Sequence, residues 1–376
     1  MHIAIDAHML GTQEGGNETY ISGLISGLSQ IYTPGNTITA MLSQEFTQHN
    51  PIPLHTQPVV FKNQGNFQRL FKEIPQLCSQ IEAEVLHATY NISPFIKCPT
   101  VLAVHDIIFH RYPHYFSPRV RLLLNTLLPL SMLRATEIVT ISEASKDDIV
   151  QRYPFTSEKI SVTYLAAGPL VEAVPDFEAS AAISQQAPFV LAVGTVQPRK
   201  NIARLVQAFI AFKANQNTNT KLVIVGKSSW QGSEIQRITE GSPYKNDIVF
   251  TGYLPDSIVV ALFKTCRCFA YPSLYEGFGL PVLEAMACGA PVITSNISSL
   301  PEVAGQSAIL VDPTSIEEIA SAIQMLCTKP ELRFELIQKG QQQAALFSWK
   351  ATAEQTMSIY ERVVQSQQRN KNKHQR

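Results

Sequence analysis

Apolar residues along this chain fall into two kinds of run. Short continuous stretches read as strands buried on both faces: 2–6, 37–42, 58–61, 84–88, 100–104, 137–141 and 159–164, then 189–193, 222–225, 248–251, 268–271, 291–294 and 309–311. Between them, apolar residues recur at helical spacing. Tyr20, Leu24, Ile25, Leu28 and Ile31 line one helix face, and Ile316, Ile319, Ala320, Ile323 and Leu326 line another. Further helices are predicted over 67–80 with a break at Pro75, over 117–134, from an N-cap at Ser142, over 201–212, 231–240 and 256–264, from residue 280 or 281, and over 331–346 and 349–364. Strands alternating with helices predict parallel sheets. Residues 169–188 are rich in Ala, Pro, Ser and Gln without a sustained period and read as a linker. The predicted architecture is therefore α/β, two doubly wound Rossmann-like domains over 1–168 and 189–346, facing each other across a cleft lined by the ligand edges of both sheets. The polar, low-complexity stretch 365–376 reads as a disordered tail.

Bulk properties narrow the classes. A chain of 376 residues is too long for one ordinary core, which agrees with two domains, and 45% hydrophobic content suffices for both. Thirty basic residues balance thirty acidic ones, so no nucleic-acid partner is expected. Cysteines 78, 98, 266, 268, 288 and 327 show no C-x-x-C spacing and read as small core residues in a reducing compartment. The first residues form a strand with no basic region leading into an apolar one, so a cytoplasmic protein without a secretory signal is expected, and the sequons at Asn17, Asn91 and Asn296 carry no meaning. The most apolar segment, 120–133, is too short to span a bilayer and is broken by Arg121, Asn125 and Pro129. It reads as a packed helix, with contact to a membrane surface as the alternative. The same choice applies to the helix carrying Phe67, Arg69, Leu70, Phe71 and Lys72.

The candidate chemistry is organised around 268–294. A strand there is followed by a loop with Glu276, Gly277, Phe278 and Gly279, a helix opening at Leu280 or Pro281, and another strand. Such a loop lies at the carboxyl edge of a parallel sheet, and the helix start offers unpaired N–H groups and a positive dipole end to an anion. Gly277 and Gly279 leave the approach to those amides open. Upstream, Gly194 to Asn201 join a strand to a helix and carry Arg199 and Lys200, a planar fork beside a mobile point charge, which suits a diphosphate. His105 and Asp106 end another strand, where they face a ligand or cap a turn. The loop 8–17 with Gly11, Gly15 and Gly16 serves either turn geometry or phosphate approach.

Several readings fail on spacing. Gly226-Lys227-Ser228 lacks the earlier glycine of a P-loop, because Lys221 stands there, and Gly277-x-Gly279 lacks the last glycine of a dinucleotide fingerprint, because residue 282 is Val. Glu276 and Glu284 fit a paired-carboxylate hydrolase or acceptors of sugar hydroxyls.

Glu276 and Glu284 with Gly277-Phe278-Gly279-Leu280-Pro281 between them resemble the signature of family 4 retaining glycosyltransferases of GT-B fold. Residues 194–201, 227–230 and 300–305, His105-Asp106 and residues 142–145 are similar too, so the likeness spans about 2–364. The resemblance implies that Arg199 and Lys200 hold a donor diphosphate. Glu276, with the Phe278 and Gly279 amides nearby, binds the transferred sugar, and Glu284 binds the ribose. His105 lies beside the sugar, and Gly15-Gly16 admit the phosphates, although Asn17-Glu18 depart from the usual Gly-Gly-x-Gly. It also implies a final helix, 347–364, crossing back to an acceptor-side first domain, no metal or cofactor, and transfer with retention. Residues 104–118 most resemble mannosyltransferases that use GDP-mannose, which implies a glycan or lipid-linked glycan acceptor and a place in the cytoplasm or peripherally at the inner membrane face. A UDP-sugar donor, a catalytically silent sugar-nucleotide-binding subunit and an epimerase are the alternatives.

Overall fold

The computed structural model describes residues 1–12, 15–44, 46, 54–62, 65–227 and 234–374, with side chains described as far as residue 369. By contacts the chain divides into one unit of Met1–Ala166 with Ser348–Arg376 and a second of Ala167–Phe347.

The first unit is built on seven parallel strands: β1 (His2–Asp6), β2 (Thr37–Leu42), β3 (Thr56–Val60), β4 (Val85–Thr89), β5 (Thr100–Ala103), β6 (Glu137–Thr140) and β7 (Ile160–Val162), in the order β3-β2-β1-β4-β5-β6-β7. Ile3 pairs with Ile38 on one side and Val85 on the other, so β1 is central. Every residue of β4 is buried, because helices cover both faces of the sheet. The order reverses between β1 and β4, and beyond the carboxyl ends of those strands lies the crevice where open α/β sheets take ligands.

The final helix, Trp349–His374, packs against the helix Gly16–Gln30. The fit requires glycine at two positions four apart on one helix face. A Cβ on Gly23 would run into the Trp349 indole, and one on Gly27 into the Trp349 carbonyl. His87 of β4 ties both helices to the sheet, with Nε2 3.0 Å from the Tyr20 hydroxyl and Nδ1 2.8 Å from the Tyr360 hydroxyl. Burial pushes its pKa down to about 3, so the ring is neutral, with one nitrogen donating and the other accepting.

The second unit holds β8 (Phe189–Val193), β9 (Lys221–Val225), β10 (Ile248–Gly252), β11 (Cys268–Tyr271), β12 (Val292–Ser295) and β13 (Ala308–Val311), in the order β10-β9-β8-β11-β12-β13. The switch point falls between β8 and β11. Helices Ile202–Asn215 and Ile316–Thr328 cover one face together, burying Leu205, Phe209, Ile319 and Ile323.

The structure departs from the sequence reading in four places. The presumed linker 169–188 contains a turn, Pro169–Glu172, and a helix, Phe177–Ser184. The Asp176 carboxylate caps that helix by accepting from the Ala179 N–H at 3.0 Å, and so short a helix shows no apolar period. The presumed tail continues the final helix to His374, since nothing from 365 to 374 is Gly or Pro and the residues there tolerate helix. The helix around Pro75 is not broken but widened. A π turn at Arg69–Glu73 joins Asn66–Gln68 to Ile74–Gln80, because Pro75 has no N–H to complete the regular ladder. The helix Pro118–Arg134 buries only one face, through Leu128, Ser131 and Met132, and leaves Leu122, Leu123, Leu130 and Leu133 between 55% and 68% exposed.

Candidate functional site

In the second unit, the loop after β8 and the loop after β11 meet at the switch point. The chain leaves β8 through Gly194 and makes a tight turn at Pro198–Lys200. Asn201 then takes a left-handed conformation at φ 60° and donates its amide to the carbonyls of Pro272 at 2.9 Å and Pro313 at 2.7 Å. The Leu274 N–H donates to the Arg199 carbonyl at 2.7 Å, and Ser273 Oγ lies 2.9 Å from the same oxygen. The two loops are therefore fixed to each other by backbone acceptors, and Arg199 and Lys200 are placed before any ligand arrives.

What they are placed against is Glu276, which is 7% exposed. Its Oε1 accepts from Lys200 Nζ at 2.6 Å, Tyr271 Oη at 2.8 Å and Ser273 Oγ at 2.6 Å, and its Oε2 accepts from Arg199 Nη1 at 2.6 Å. Lys200 also donates to the Tyr271 hydroxyl and lies 4.7 Å from the centre of that ring. Three of these donors converge on Oε1 and one reaches Oε2, which leaves Oε2 a further lone pair. Burial alone would push the Glu276 pKa up, but the charges of Lys200 and Arg199 and the hydrogen bonds from Lys200 and Ser273 outweigh it and hold the carboxyl down to about 2. Glu276 is thus ionised at neutral pH and cannot serve as a general acid there.

The next turn carries the amides that the sequence marks. Gly277, Phe278 and Gly279 are buried, and Gly279, at φ 114°, turns the chain into the helix Leu280–Ala287. That conformation is costly for any side chain, and a Cβ there would also press on Leu300. Ser299 Oγ donates to the carbonyls of Glu276 at 2.9 Å and Phe278 at 2.7 Å, and Ser298 Oγ donates to the Glu276 carbonyl at 2.6 Å. One turn into the helix is Glu284. Burial pushes its carboxyl up to about 7, with the charge of Asp256 adding and a hydrogen bond from the Gly168 backbone opposing.

In the first unit the structure brings His105 and the glycine loop together. His105 follows β5, is 5% exposed, and its Nδ1 lies 2.7 Å from Asn17 Oδ1. Since that oxygen only accepts, Nδ1 carries the proton and Nε2 presents a lone pair. Nε2 is buried and has no partner among the described residues. Burial pushes the ring's pKa down to about 4, so His105 is neutral at pH 7. Gly15 and Gly16 open the helix Gly16–Gln30, and a Cβ on either would meet open space. Glu18, where the third glycine of the family pattern would stand, turns back and accepts from the Gly11 N–H at 2.8 Å. Asp106 accepts from the Ile108 N–H at 3.0 Å, the turn-capping role.

A cavity of about 720 Å³ opens in the same unit, lined in part by Asp6, Asn17, Arg69, Thr89, Leu123 and Leu127. Thr89 Oγ1 and Arg69 Nε are buried without partners among the described residues. Among the described residues, no cluster of His, Cys, Asp and Glu could hold a metal ion.

Sequence reasoning missed Tyr271, Ser273, Asn201, Ser298 and Ser299. Tyr271 and Ser273 follow the apolar residues of β11 two apart, which places them on one side of the chain, but nothing in the pattern marks Ser298 and Ser299. Ser228, Ser229 and Trp230, part of the sequence likeness, lie outside the described residues.

Comparison with known proteins gives this site its class. The model for glycosyltransferase family 4 matches residues 15–166, and that for glycosyl transferases group 1 matches 174–343. O-antigen chain mannosyltransferase B of Escherichia coli is 33% identical over 267 residues, 69% of this chain and 69% of that protein. The serotype-specific mannosyltransferase WbdA of Escherichia coli is 31% identical over 280 residues, 72% of this chain, which spans only 34% of that longer protein. Sucrose-phosphate synthase from Thermosynechococcus elongatus superimposes with a TM-score of 0.75 at 19% identity, covering 97% of this chain and 100% of that one. The chain belongs to the family 4 glycosyltransferases and has their GT-B fold. It is a hexosyltransferase that takes its sugar from a nucleotide-sugar donor.

Proposed function

We propose that the protein transfers mannose from GDP-mannose to a hydroxyl of a glycan or lipid-linked glycan, with retention at the anomeric carbon. The observation that carries the donor reading is the buried Glu276 held ionised between Arg199 and Lys200 at the β8/β11 switch point. In this reading the incoming diphosphate takes over part of the cations' pairing, which frees acceptor capacity on Glu276 for hydroxyls of the sugar. The first-turn amides of the helix Leu280–Ala287 face the same charge, and Glu284 takes the ribose hydroxyls.

As the bond from the anomeric carbon to the phosphate oxygen breaks, its electron pair stays on the diphosphate, where Arg199 and Lys200 stabilise it. The acceptor oxygen attacks the same face of the sugar and its proton passes to the departing phosphate oxygen. Glu276, strongly acidic and engaged by the two cations, acts as a binding group rather than a nucleophile. His105, neutral with an acceptor nitrogen, suits a sugar hydroxyl, and the cavity beside Arg69 and Thr89 suits a polar acceptor. Mannose is favoured over glucose by the two mannosyltransferase relatives.

The test is a donor panel with a mannose-terminated oligosaccharide, following released nucleotide diphosphate and the anomeric proton of the product by NMR. GDP release with an α-linked product supports the reading. Turnover of UDP-sugars alone refutes the donor, and a β-linked product refutes retention.

A further inference from the structure

Strand β4 ends in a turn that side chains resist. The Asn91 N–H donates back to the Thr89 carbonyl at 2.7 Å, and Tyr90 between them takes φ 61°. A three-residue turn of this hand is strained, and a bulky residue at its centre is an outlier. Glycine would adopt it freely, so the ring at position 90 is held there against the preference of its own backbone. The neighbouring chain enforces the turn from both ends. The Tyr90 N–H donates to the Ala103 carbonyl at 2.9 Å, and the Ile92 N–H donates to Ser131 Oγ at 3.1 Å. The turn also changes which side chains share a surface. Successive residues of an extended strand point to opposite faces, yet Thr89, Tyr90 and Asn91 all line the 720 Å³ cavity. The half-buried Tyr90 ring stands edge-on to His105, with 5.7 Å between ring centres. Two buried polar atoms adjoin that ring without partners among the described residues: Thr89 Oγ1, in a residue 8% exposed, and His105 Nε2. Buried groups of this kind cost stability until a ligand completes them.

We propose that Tyr90 and Thr89 determine which acceptor is taken: the C–H face of the acceptor's terminal pyranose lies on the Tyr90 ring, and one of its hydroxyls hydrogen-bonds Thr89 Oγ1. A pyranose has an apolar face and a rim of hydroxyls, so an aromatic ring next to an unpartnered hydroxyl matches both. This selection rests on the reading of the cavity as the acceptor side and gives that side its sugar-recognising residues. Through its contact with His105, the Tyr90 ring joins the acceptor cavity to the residue that suits the transferred sugar. Packing of the ring on the core beneath it would by itself leave the Thr89 hydroxyl without a purpose. The strain at Tyr90 is then the cost of presenting two adjacent side chains to one sugar.

The experiment measures binding of a mannose-terminated oligosaccharide to the full chain without donor, by saturation-transfer NMR and calorimetric titration, and then the acceptor KM with GDP-mannose. Tyr90→Ala should weaken binding and raise the acceptor KM by at least about tenfold, since the apolar face of one sugar loses its contact. Tyr90→Phe keeps the ring and should restore binding to within about twofold of wild type. Thr89→Val should weaken binding by about fivefold while its Tm stays within about 1 °C of wild type or rises, because the hydroxyl it removes has no partner among the described residues. Tyr90→Gly should bind as poorly as Tyr90→Ala yet melt about 2–4 °C above it, reversing the usual order of the two residues. Wild type that does not bind the oligosaccharide, or a folded Tyr90→Ala that binds it undiminished, overturns the proposal. So does a Thr89→Val that loses stability and keeps its affinity, which marks the turn as structural only; that variant decides the matter if Tyr90→Ala does not fold. Oligosaccharide binding that Tyr90→Ala weakens, with no turnover of GDP-mannose, supports the proposal and strikes the donor reading alone.

Discussion

Replacing Glu276 by Gln keeps the shape of the side chain and removes its charge, which tests whether the ion cluster at the switch point is as tightly made as its distances imply. Holding the carboxyl at about 2 rather than 4.5 corresponds to roughly 3 kcal/mol in favour of the ionised form in the folded protein. The variant forfeits this and leaves Lys200, 9% exposed, without its closest counter-charge. Breaking a buried pair from one side costs about 3–5 kcal/mol. For a unit of this size each kcal/mol lowers Tm by about 2–4 °C, so the midpoint of the second unit should fall by at least about 6 °C near neutral pH. The sign with pH is fixed. A depressed carboxyl stabilises the fold above its unfolded pKa and stops doing so as pH falls through its folded one, so the gap between wild type and variant should close between about pH 4.5 and pH 2. A nucleotide diphosphate restores negative charge to the cations, so GDP should raise the variant's Tm by more than the wild type's. Differential scanning calorimetry with and without GDP reads all three effects. A folded variant within about 1 °C of wild type near neutral pH would refute the view that the cluster is a preorganised, energetically significant anion site.

Other outcomes follow from the same geometry. Lys200→Ala should lower transfer by at least about tenfold, measured as product formation at saturating donor, because a charge close to the leaving diphosphate is lost; unchanged turnover would remove Lys200 from that role. In its proposed role Glu284, pushed up to about 7, accepts two ribose hydroxyls only when ionised, so nucleotide affinity by calorimetric titration should fall by up to about tenfold per unit as pH drops below 7. The same residue, with its folded pKa above its unfolded one, makes the unliganded protein less stable as pH rises from about 4.5 through 7, and Glu284→Gln should flatten both profiles. Gly27→Ala, which drives a methyl into the Trp349 carbonyl, should destabilise the first unit by about 1–3 kcal/mol in urea unfolding, whereas Gly16→Ala meets open space and should not clash.

The sequence by itself determined the strands, the doubly wound order they imply and the chemical types at the sheet edge. Short continuous apolar runs bounded by turn residues read as strands covered on both faces, as in β4 or β11, and a glycine-interrupted loop with cations or carboxylates after such a run falls where ligands bind. Arg199, Lys200 and Glu276 were legible for that reason, as residue types at the ends of β8 and β11. Their mutual arrangement was not. Lys200 and Glu276 are 76 residues apart, and only the packing of β8 beside β11, with Asn201 fastening one loop to the other, makes them a buried ion cluster joined by Tyr271 and Ser273. The shifted protonation of Glu284 and His105 likewise depends on burial, which no local pattern reports. The helix Pro118–Arg134 shows the same limit. Its leucines are apolar in the sequence whether they face a core or solvent, and only the tertiary structure decided that Leu128 and Met132 turn inward while Leu122, Leu130 and Leu133 are left uncovered.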